Sequence, residues 1–177
     1  MPQRPRIKVF LEGRYRKFVR NLPQTIFYCP VCKGRGRVRG RKCERCDGFG
    51  KLTRDSVQEL IARKVLRAYR SRKGKFHGAG REDVDVRMLG GGRPFVFEVV
   101  APKELAVDLD ELRDEILEYG EGRIEITSLV LVPKSRVAEI KETKSSKRYA
   151  ALVEVDAQLD DEEVAALAGQ TLDVVQR

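Results

Sequence analysis

The stretch from Phe76 to Pro94, FHGAGREDVDVRMLGGGRP, joins a glycine-rich turn to a run in which charged and apolar residues alternate. Gly78 and Gly80 allow the backbone to turn sharply and to approach a neighbouring backbone or a ligand closely. From this turn to Met88 the residues alternate with the period of two that is typical of a β-strand. The pattern therefore predicts a strand with an apolar face and a charged face, the latter made of Arg81, Asp83, Asp85 and Arg87.

The alternation alone leaves the meaning of the charged row open. Most such rows are solvated faces whose members pair with their neighbours, and a functional site is the alternative. The order of the residues favours a functional site. The letters GRED at Gly80–Asp83, preceded by HGA at His77–Ala79, resemble the Gly-Arg-x-Asp motif of pseudouridine synthases.

Two longer segments extend the resemblance. GRYRKFVRNLPQT (Gly13–Thr25) and GREDVDVRMLGGGRPF (Gly80–Phe95) are similar to the archaeal and eukaryotic tRNA pseudouridine synthase family that acts on uridines at positions 54 and 55 of tRNA. The resemblance implies an isomerase that breaks the N-glycosidic bond of uridine, rotates the base and rejoins it through carbon. It assigns the nucleophile to Asp83 and implies no organic cofactor. Arg81 becomes a candidate for holding the target phosphate or the displaced helix, because such an enzyme must flip its base out of the stack.

The resemblance covers nearly all of this chain but only part of the family's length. Family members usually carry an N-terminal RNA-binding domain of the THUMP type and continue beyond the position that matches Arg177. That continuation normally brings the tyrosine that stacks on the target base and a basic partner for the aspartate. Neither role is assigned here, since Tyr149 is predicted to lie in the core. A truncated, incomplete catalytic domain is expected, and a second chain that completes the active site is an alternative to activity of the chain alone.

The charge of the chain is strongly segregated. Residues 1–81 carry 24 Lys and Arg against 5 Asp and Glu, a net charge of +19, whereas residues 82–177 carry 12 against 22, a net of −10. A half this basic is typical of a protein that binds a phosphate backbone. An anionic membrane is a weaker alternative, because the basic half lacks a Trp-, Phe- and Leu-rich amphipathic helix. With no apolar run near 18 residues and no signal peptide, a cytoplasmic protein without a membrane partner is expected.

All four cysteines form two matched pairs, CPVC and CERC, separated by ten residues. This spacing predicts a tetrahedral Cys₄ zinc site that is structural, because it has no open coordination position; its ligands are Cys29, Cys32, Cys43 and Cys46. Disulfides or redox-active CxxC pairs are the less favoured alternative, since nothing marks the chain as secreted. Both halves also read CxxCxGxG, like the zinc repeats of Hsp40-type chaperones.

Basic residues near these motifs are candidates for RNA contact. One set follows the first strand, a second lies in the cysteine loop, and Arg81 joins them from the GRED motif. The first set is Arg14, Arg16, Lys17 and Arg20, and the second is Arg35, Arg37, Arg39 and Arg41. A solvated basic surface is the alternative for each of them.

The remaining patterns predict an α+β fold with a mixed, mainly antiparallel sheet and packed helices, similar to part of a pseudouridine synthase. Two domains are expected, a basic segment with the zinc knuckle at 1–54 and a catalytic domain at 55–177. Helices are predicted at 56–72 (capped by Asp55 or Thr53), 108–119 and 160–168, with a short helix within 133–147. Strands are predicted at 7–11, 95–100, 124–132, 149–155 and 171–175, with a hairpin turn at Gly90–Gly92.

Three functions follow, in order of preference. The first is a tRNA pseudouridine synthase with Asp83 as the nucleophile and zinc in the knuckle. The second is a zinc-containing protein that binds tRNA or rRNA without turnover, or as half of a split enzyme. The third is an Hsp40-like module that binds polypeptide, whose binding would be insensitive to salt, whereas RNA binding weakens steeply as salt rises.

Overall fold

The computed structural model describes residues 7–143, 146–152, 154, 156 and 158–167. The chain divides into two compact units, Met1–Lys144 and Ser145–Arg177. The strands of the first unit are β1 (Lys8–Lys17), β2 (Arg37–Val38), β3 (Arg41–Lys42), β4 (Lys73–Gly78), β5 (Met88–Val100) and β6 (Ile124–Leu131). Its helices are α1 (Val57–Ala68), α2 (Leu109–Gly120) and α3 (Arg136–Glu142), and α4 (Asp161–Leu167) belongs to the second unit. Within the described residues, no helix is both long enough and apolar enough to cross a membrane.

Four strands form one sheet in the order β4-β5-β1-β6, and β2 pairs with β3 in a separate ribbon. Every pairing in the larger sheet is antiparallel. The predicted α+β class and its mainly antiparallel sheet are confirmed. Because β1 lies at the centre of the sheet, the first 54 residues are not a separate body, and the structure differs here from the predicted division at residue 54.

One face of the sheet carries the main hydrophobic core. Alternate residues of β1 point to this face, where Leu11 and Tyr15 are buried, and Phe95 and Phe97 of β5 join them. Phe76 of β4 stacks on Phe95 with ring centres 5.3 Å apart. The apolar sides of α1 and α2 cover this face, which is what the 3.6-residue period of both helices requires.

The N-terminal caps of α1 and α2 can be compared with the residues that the sequence offers as caps. Ser56 caps α1, since its hydroxyl accepts a hydrogen bond from the amide of Glu59 at 3.2 Å, so the predicted cap at Asp55 or Thr53 is wrong. Asp55 instead forms an ion pair with Arg123 at 2.9 Å. Asp108 caps α2 as its sequence indicates, through hydrogen bonds from the amides of Asp110 and Glu111.

The triglycine segment is part of a strand rather than a hairpin turn. Gly90 and Gly92 have positive φ angles of 63° and 73°, and both lie inside β5. At this point the register between β1 and β5 shifts, between Tyr15 and Lys17, which is the signature of a β-bulge. The guanidinium of Arg14 donates hydrogen bonds to the carbonyls of Gly91 and Gly92 at 2.7 and 2.9 Å. These two backbone acceptors of the bulge therefore have a protein partner.

The second unit departs further from prediction. Helix α4 confirms the helix expected at 160–168. No strand forms among residues 146–152, and Tyr149, predicted to be core, is 74% exposed. The strand expected at 171–175 lies outside the described residues.

The bulge provides a matched test of backbone strain. A Cβ at position 92 would lie 2.8 Å from the carbonyl oxygen of Tyr15, whereas one at position 90 would meet nothing within 4 Å. Both substitutions strain a left-handed backbone, but only Gly92→Ala also pushes against β1. We expect Gly92→Ala to lower the free energy of unfolding by about 2–5 kcal/mol and Gly90→Ala by about 1–2 kcal/mol. Urea denaturation followed by circular dichroism measures both, and equal effects would contradict the proposed clash.

Candidate active site and metal centre

Asp83 lies in the loop 79–87, which connects β4 to β5. The predicted strand over 81–88 is therefore wrong, because pairing with β1 begins only at Met88. Gly80 has a φ of 77°, as a tight turn requires, and the amide of Val86 bonds the Asp83 carbonyl at 3.3 Å. Asp83 and Arg81 are exposed, whereas Glu82 between them is buried.

Glu82 anchors the loop from inside the protein. The hydroxyl of Tyr15 lies 2.7 and 2.8 Å from its two carboxylate oxygens, and the amide nitrogen of Gln24 lies 3.3 Å from Oε2. Arg93 forms a buried ion pair with the same carboxylate, its Nε 2.9 Å from Oε2. The same amide nitrogen of Gln24 also donates to the Tyr15 oxygen at 2.9 Å. The buried carboxylate is thus paired and hydrogen-bonded, which is the condition under which burying a charge is tolerated.

The electrostatics of this cluster keep Tyr15 protonated. Burial, followed by the negative charge of Glu82, raises the pKa of Tyr15 far above its ordinary value. The phenol is therefore a permanent hydrogen-bond donor to the carboxylate.

Lys17 is fully buried beside the same loop, which corrects its prediction as an RNA contact. Its ammonium donates to the carbonyls of Leu22, Asp83 and Val84 at 2.8, 3.1 and 3.2 Å. Three donors meet three acceptors, so no hydrogen is left for a phosphate. Burial lowers the pKa of Lys17, and the attraction of Glu82 and Asp85 opposes that shift.

The carbonyls of the loop are consequently held by buried side chains. Arg93 bonds the carbonyl of Ala79 at 2.7 Å, and Gln24 bonds that of Gly80 at 2.9 Å. Lys17 holds the next two, at Asp83 and Val84. The backbone on both sides of Asp83 is fixed while its carboxylate faces solvent, an arrangement that suits a group held ready for a ligand.

The other side chains singled out near the motif have separate surroundings. Among the described residues, no cation lies within 4 Å of the Asp83 carboxylate, and Asp85 and Arg87 form no ion pair with each other. His77 lies in β4, and its Nε2 is 3.2 Å from a carboxylate oxygen of Glu98. A cleft of about 710 Å³ lies elsewhere, along the edge of β4 and the side of α1, lined in part by Gln58, Lys73 and Glu98.

The cysteines form a compact cluster. All four are buried and unoxidised, and their sulfur atoms lie within 4.8 Å of one another. Sγ of Cys29 is 3.9 Å from that of Cys43, and Sγ of Cys32 is 3.7 Å from that of Cys46. A zinc ion with four Zn–S bonds of about 2.3 Å requires sulfur atoms about 3.8 Å apart, which these distances match. A disulfide would need about 2.05 Å.

The two halves of the cluster repeat the same backbone. Amides of Gly36 and Gly50 donate to the sulfur atoms of Cys32 and Cys46, at 3.3 and 3.2 Å. Such bonds stabilise thiolates, so the donor set fits a divalent cation. A Cβ at Gly50 would lie 2.6 Å from the carbonyl oxygen of Gly34, and one at Gly36 would collide with Gly48. The glycines of CxxCxGxG therefore let the two halves interlock; the likeness to chaperone repeats reflects this local requirement.

The arginines predicted to contact RNA differ in what holds them. Arg35, Arg37, Arg39 and Arg41 are all exposed, and none forms an ion pair or side-chain hydrogen bond with the described residues. Arg20 and Arg81 are exposed in the same way. Arg14 is engaged with two carbonyls, and Arg16 is half-buried with Glu125 3.6 Å away.

Comparison with known proteins supplies a family for this architecture. A family model described as "Pus10, C-terminal" matches residues 10–177. A protein of Methanothermobacter marburgensis named tRNA pseudouridine synthase Pus10 is 45% identical over 171 residues, 96% of this chain and 40% of that protein. Proteins of the same name from Methanothrix thermoacetophila and Methanocaldococcus jannaschii are 41% and 44% identical over 96% and 90% of this chain. The chain spans between 33% and 40% of the length of these three relatives.

The buried ammonium can be tested by replacing it with an isosteric apolar group. Lys17→Met leaves three carbonyls without their donor, so we expect the free energy of unfolding to fall by about 2–4 kcal/mol. Hydrogen exchange at the Val86 amide should accelerate, because its acceptor loop loses support. Arg20→Met, an exposed position three residues away, is the control and should stay within about 0.5 kcal/mol of the parent. Unchanged exchange at Val86 in Lys17→Met would refute the anchoring role.

Metal analysis tests the cysteine cluster. We expect one zinc ion per chain and its loss in Cys46→Ser, because a structural site stabilises its fold by about 10–16 kcal/mol only with all ligands present. Chelation should unfold the knuckle and leave the sheet core intact, since the two form separate hydrophobic clusters. Intact protein lacking metal and lighter by four hydrogens would instead indicate two disulfides.

Proposed function

The chain belongs to the family of the Pus10 C-terminal region, and we propose that it converts uridine to pseudouridine in tRNA, in the T-arm at positions 54 and 55. Asp83 would be the nucleophile. The supporting observation is the exposed carboxylate of Asp83 on a loop whose carbonyls are held by buried Lys17, Gln24 and Arg93. The names of the relatives support pseudouridine formation as the reaction, and the anchored loop supports Asp83 as its nucleophile.

The reaction needs one carboxylate and no external reductant or oxidant. The glycosidic bond from N1 to C1′ breaks, the base turns, and C5 bonds to C1′ while a proton leaves C5 and another returns to N1. Asp83 would assist by attacking the sugar or base as the bond breaks. Because the loop is already fixed, little ordering entropy is lost when the carboxylate meets its target.

Phosphate binding is proposed for the basic residues that have no protein partner. Arg35, Arg37, Arg39 and Arg41 extend from the zinc knuckle, and Arg20 and Arg81 are also exposed. Arginine forks bind phosphate bidentately when they are not already paired. Arg14 and Arg16 would add positive charge but fewer free donors, since both are engaged with the protein.

Zinc is proposed as the occupant of the cysteine cluster, with a structural role. Four thiolate ligands leave no position for water or substrate, so the ion would hold the arginine-bearing turns in place and take no part in the isomerisation. With tRNA as the substrate, we propose a cytoplasmic location.

A second candidate function is RNA binding without turnover by this chain alone. Among the described residues no cation lies within 4 Å of the Asp83 carboxylate, and the cleft beside β4 does not include it. A basic partner and a base-stacking tyrosine would then come from a second chain or from residues beyond those described, as in a split enzyme. This alternative admits tRNA or rRNA as the ligand. Hsp40-like polypeptide binding has no support beyond the CxxCxGxG pattern.

Substitution of the proposed nucleophile distinguishes the two functions. Pseudouridine mapping on unmodified tRNA should show product with the unaltered chain and none with Asp83→Ala, because the carboxylate cannot be replaced by a methyl group. Asp85→Ala, equally exposed in the same loop, is the matched control and should retain activity. Both variants should bind tRNA as the parent does.

Each outcome of this experiment favours one of the two functions or rejects the nucleophile. Product in Asp83→Ala would reject the nucleophile. No product from any protein, with tRNA binding that weakens as salt rises, would support the binding-only function.

A further inference from the structure

The zinc knuckle carries exposed aromatic rings that its zinc cluster does not use. In the described part of the first unit, the exposed aromatic side chains are Phe27, Tyr28 and Phe49, at 40%, 57% and 57%. All three lie on the stretch that holds the cysteines. The other aromatic residues of this unit are buried or half-buried in the sheet core and its edges. Exposed rings gathered on one small module mark a site that another molecule covers.

Tyr28 and Phe49 are connected through Lys51. Tyr28 lies opposite Lys51 in an isolated antiparallel bridge, and the Lys51 ammonium lies 5.2 Å from the ring centre of Phe49. The ring of Tyr28 also packs against Gly34, where an added Cβ would be 2.9 Å from it. The Tyr28 ring is therefore supported by the backbone at Gly34 and the Phe49 ring by the Lys51 ammonium, which reduces the entropy lost when a base stacks on them.

Phe49 and Arg35 occupy equivalent positions in the two CxxCxGxG halves. In the repeated CxxCxGxG halves, Phe49 stands where Arg35 stands in the first half, directly before the last glycine. The backbone of the two halves matches, with φ of 85° and 70° at Gly34 and Gly36 against 77° and 82° at Gly48 and Gly50. One half thus presents a cation and the other a ring from equivalent sites.

The charge around the rings identifies the partner. Residues 27–54 carry nine Lys and Arg against two acidic residues, and the exposed arginines have no carboxylate partner among the described residues. Flat rings beside unpaired guanidinium groups match the two features of a single-stranded nucleic acid, unstacked bases and phosphates. A neutral polypeptide or lipid surface would use the apolar area but not this density of unpaired cations, and an anionic lipid surface would use the cations without offering flat rings for stacking.

We propose that Tyr28 and Phe49 stack on the bases of unpaired RNA nucleotides while Arg35 and its neighbours hold the adjoining phosphates. The knuckle is then a platform for single-stranded RNA, such as the loop of a folded tRNA. This rests on the proposed function only in taking RNA as the ligand and does not depend on Asp83. A duplex, whose bases are hidden between their neighbours, would gain from the arginines alone.

Substitutions at the equivalent positions 49 and 35 separate stacking from charge. Affinity for a short oligouridylate is measured over a series of salt concentrations for the full chain with its metal. Phe49→Ala should weaken binding roughly 5- to 100-fold and leave its salt dependence unchanged, because the ring carries no charge. Arg35→Ala should reduce the slope of log affinity against log salt by about 0.7. Val31→Ala, an exposed apolar residue of the same module without a ring, should bind as the parent does.

A single tryptophan gives a direct optical signal of stacking. The chain has no tryptophan, so Phe49→Trp introduces the only one, and it keeps a stacking surface. Its emission should be quenched by oligouridylate but not by an abasic strand of the same length, an RNA duplex, heparin or anionic vesicles. Phe49→Leu keeps apolar bulk without a ring and should bind as weakly as Phe49→Ala.

Four results would overturn this inference. In the affinity assay, they are undiminished oligouridylate affinity in Phe49→Ala, or a loss of heparin affinity in that variant as large as its loss of oligouridylate affinity. The others are absence of RNA binding by the parent chain, and quenching of the Phe49→Trp emission by vesicles rather than by RNA. Oligouridylate binding and pseudouridine mapping are separate readouts, and Asp85→Ala, whose carboxylate has no proposed role, should match the parent in both. Stacking without pseudouridine formation would therefore reject the proposed enzyme and keep the platform, and pseudouridine formation without stacking would do the reverse.

Discussion

The buried carboxylate of Glu82 is the interaction on which the rest of the candidate site depends. An isolated carboxylate in the core would be strongly unfavourable, so the fold must bring Tyr15, Gln24 and Arg93 to it from three separate segments. Those partners also hold the carbonyls that flank the motif, and Lys17 completes the set from the next position on the same face of β1. Folding of the sheet and placement of Asp83 are therefore one event, because neither the buried charge nor the loop is satisfied without the other.

The cysteine cluster lacks an apolar core, so the knuckle needs a different source of stability from the sheet. Its turns contain too little apolar surface for a core of their own, and among the described apolar residues Leu52 alone packs against the four cysteines. A metal ion bound by the four sulfur atoms, as proposed above, would replace that missing core. A scaffold held in this way can expose aromatic and basic side chains that an ordinary small domain would have to bury or pair. The exposed aromatic and basic side chains of the knuckle are thus compatible with its stability, because that stability does not depend on burying them.

The sequence was informative where the relevant contacts are local. The clustering of the four cysteines depends on one short stretch of chain, and the start of α2 at Asp108 depends on its own first turn; both were predicted correctly. The loop around Asp83 was predicted as a strand because its alternation is genuine, but burial there belongs to Glu82. Its partners lie 67, 58 and 11 residues away in the sequence, so no local pattern could find them. Lys17 was misplaced for a related reason: its alternation with Leu11 and Tyr15 predicts burial, whereas its basic neighbours suggested a solvated segment.

The arginines show how neighbouring carboxylates decide what a cation does. Arg93, Arg123 and Arg136 lie in the sheet unit beside Glu82, Asp55 and Glu12, and each forms an ion pair of 2.9 Å or less. The knuckle has almost no acidic residues, so its arginines keep their donors free. Among the described residues, the one close ion pair between two charges of the knuckle itself joins Lys42 to Asp47. An unpaired guanidinium group binds phosphate without first breaking a protein contact. The segregation of charge along the chain thus becomes a segregation of roles, in which paired arginines build the fold and unpaired ones remain available to a polyanion.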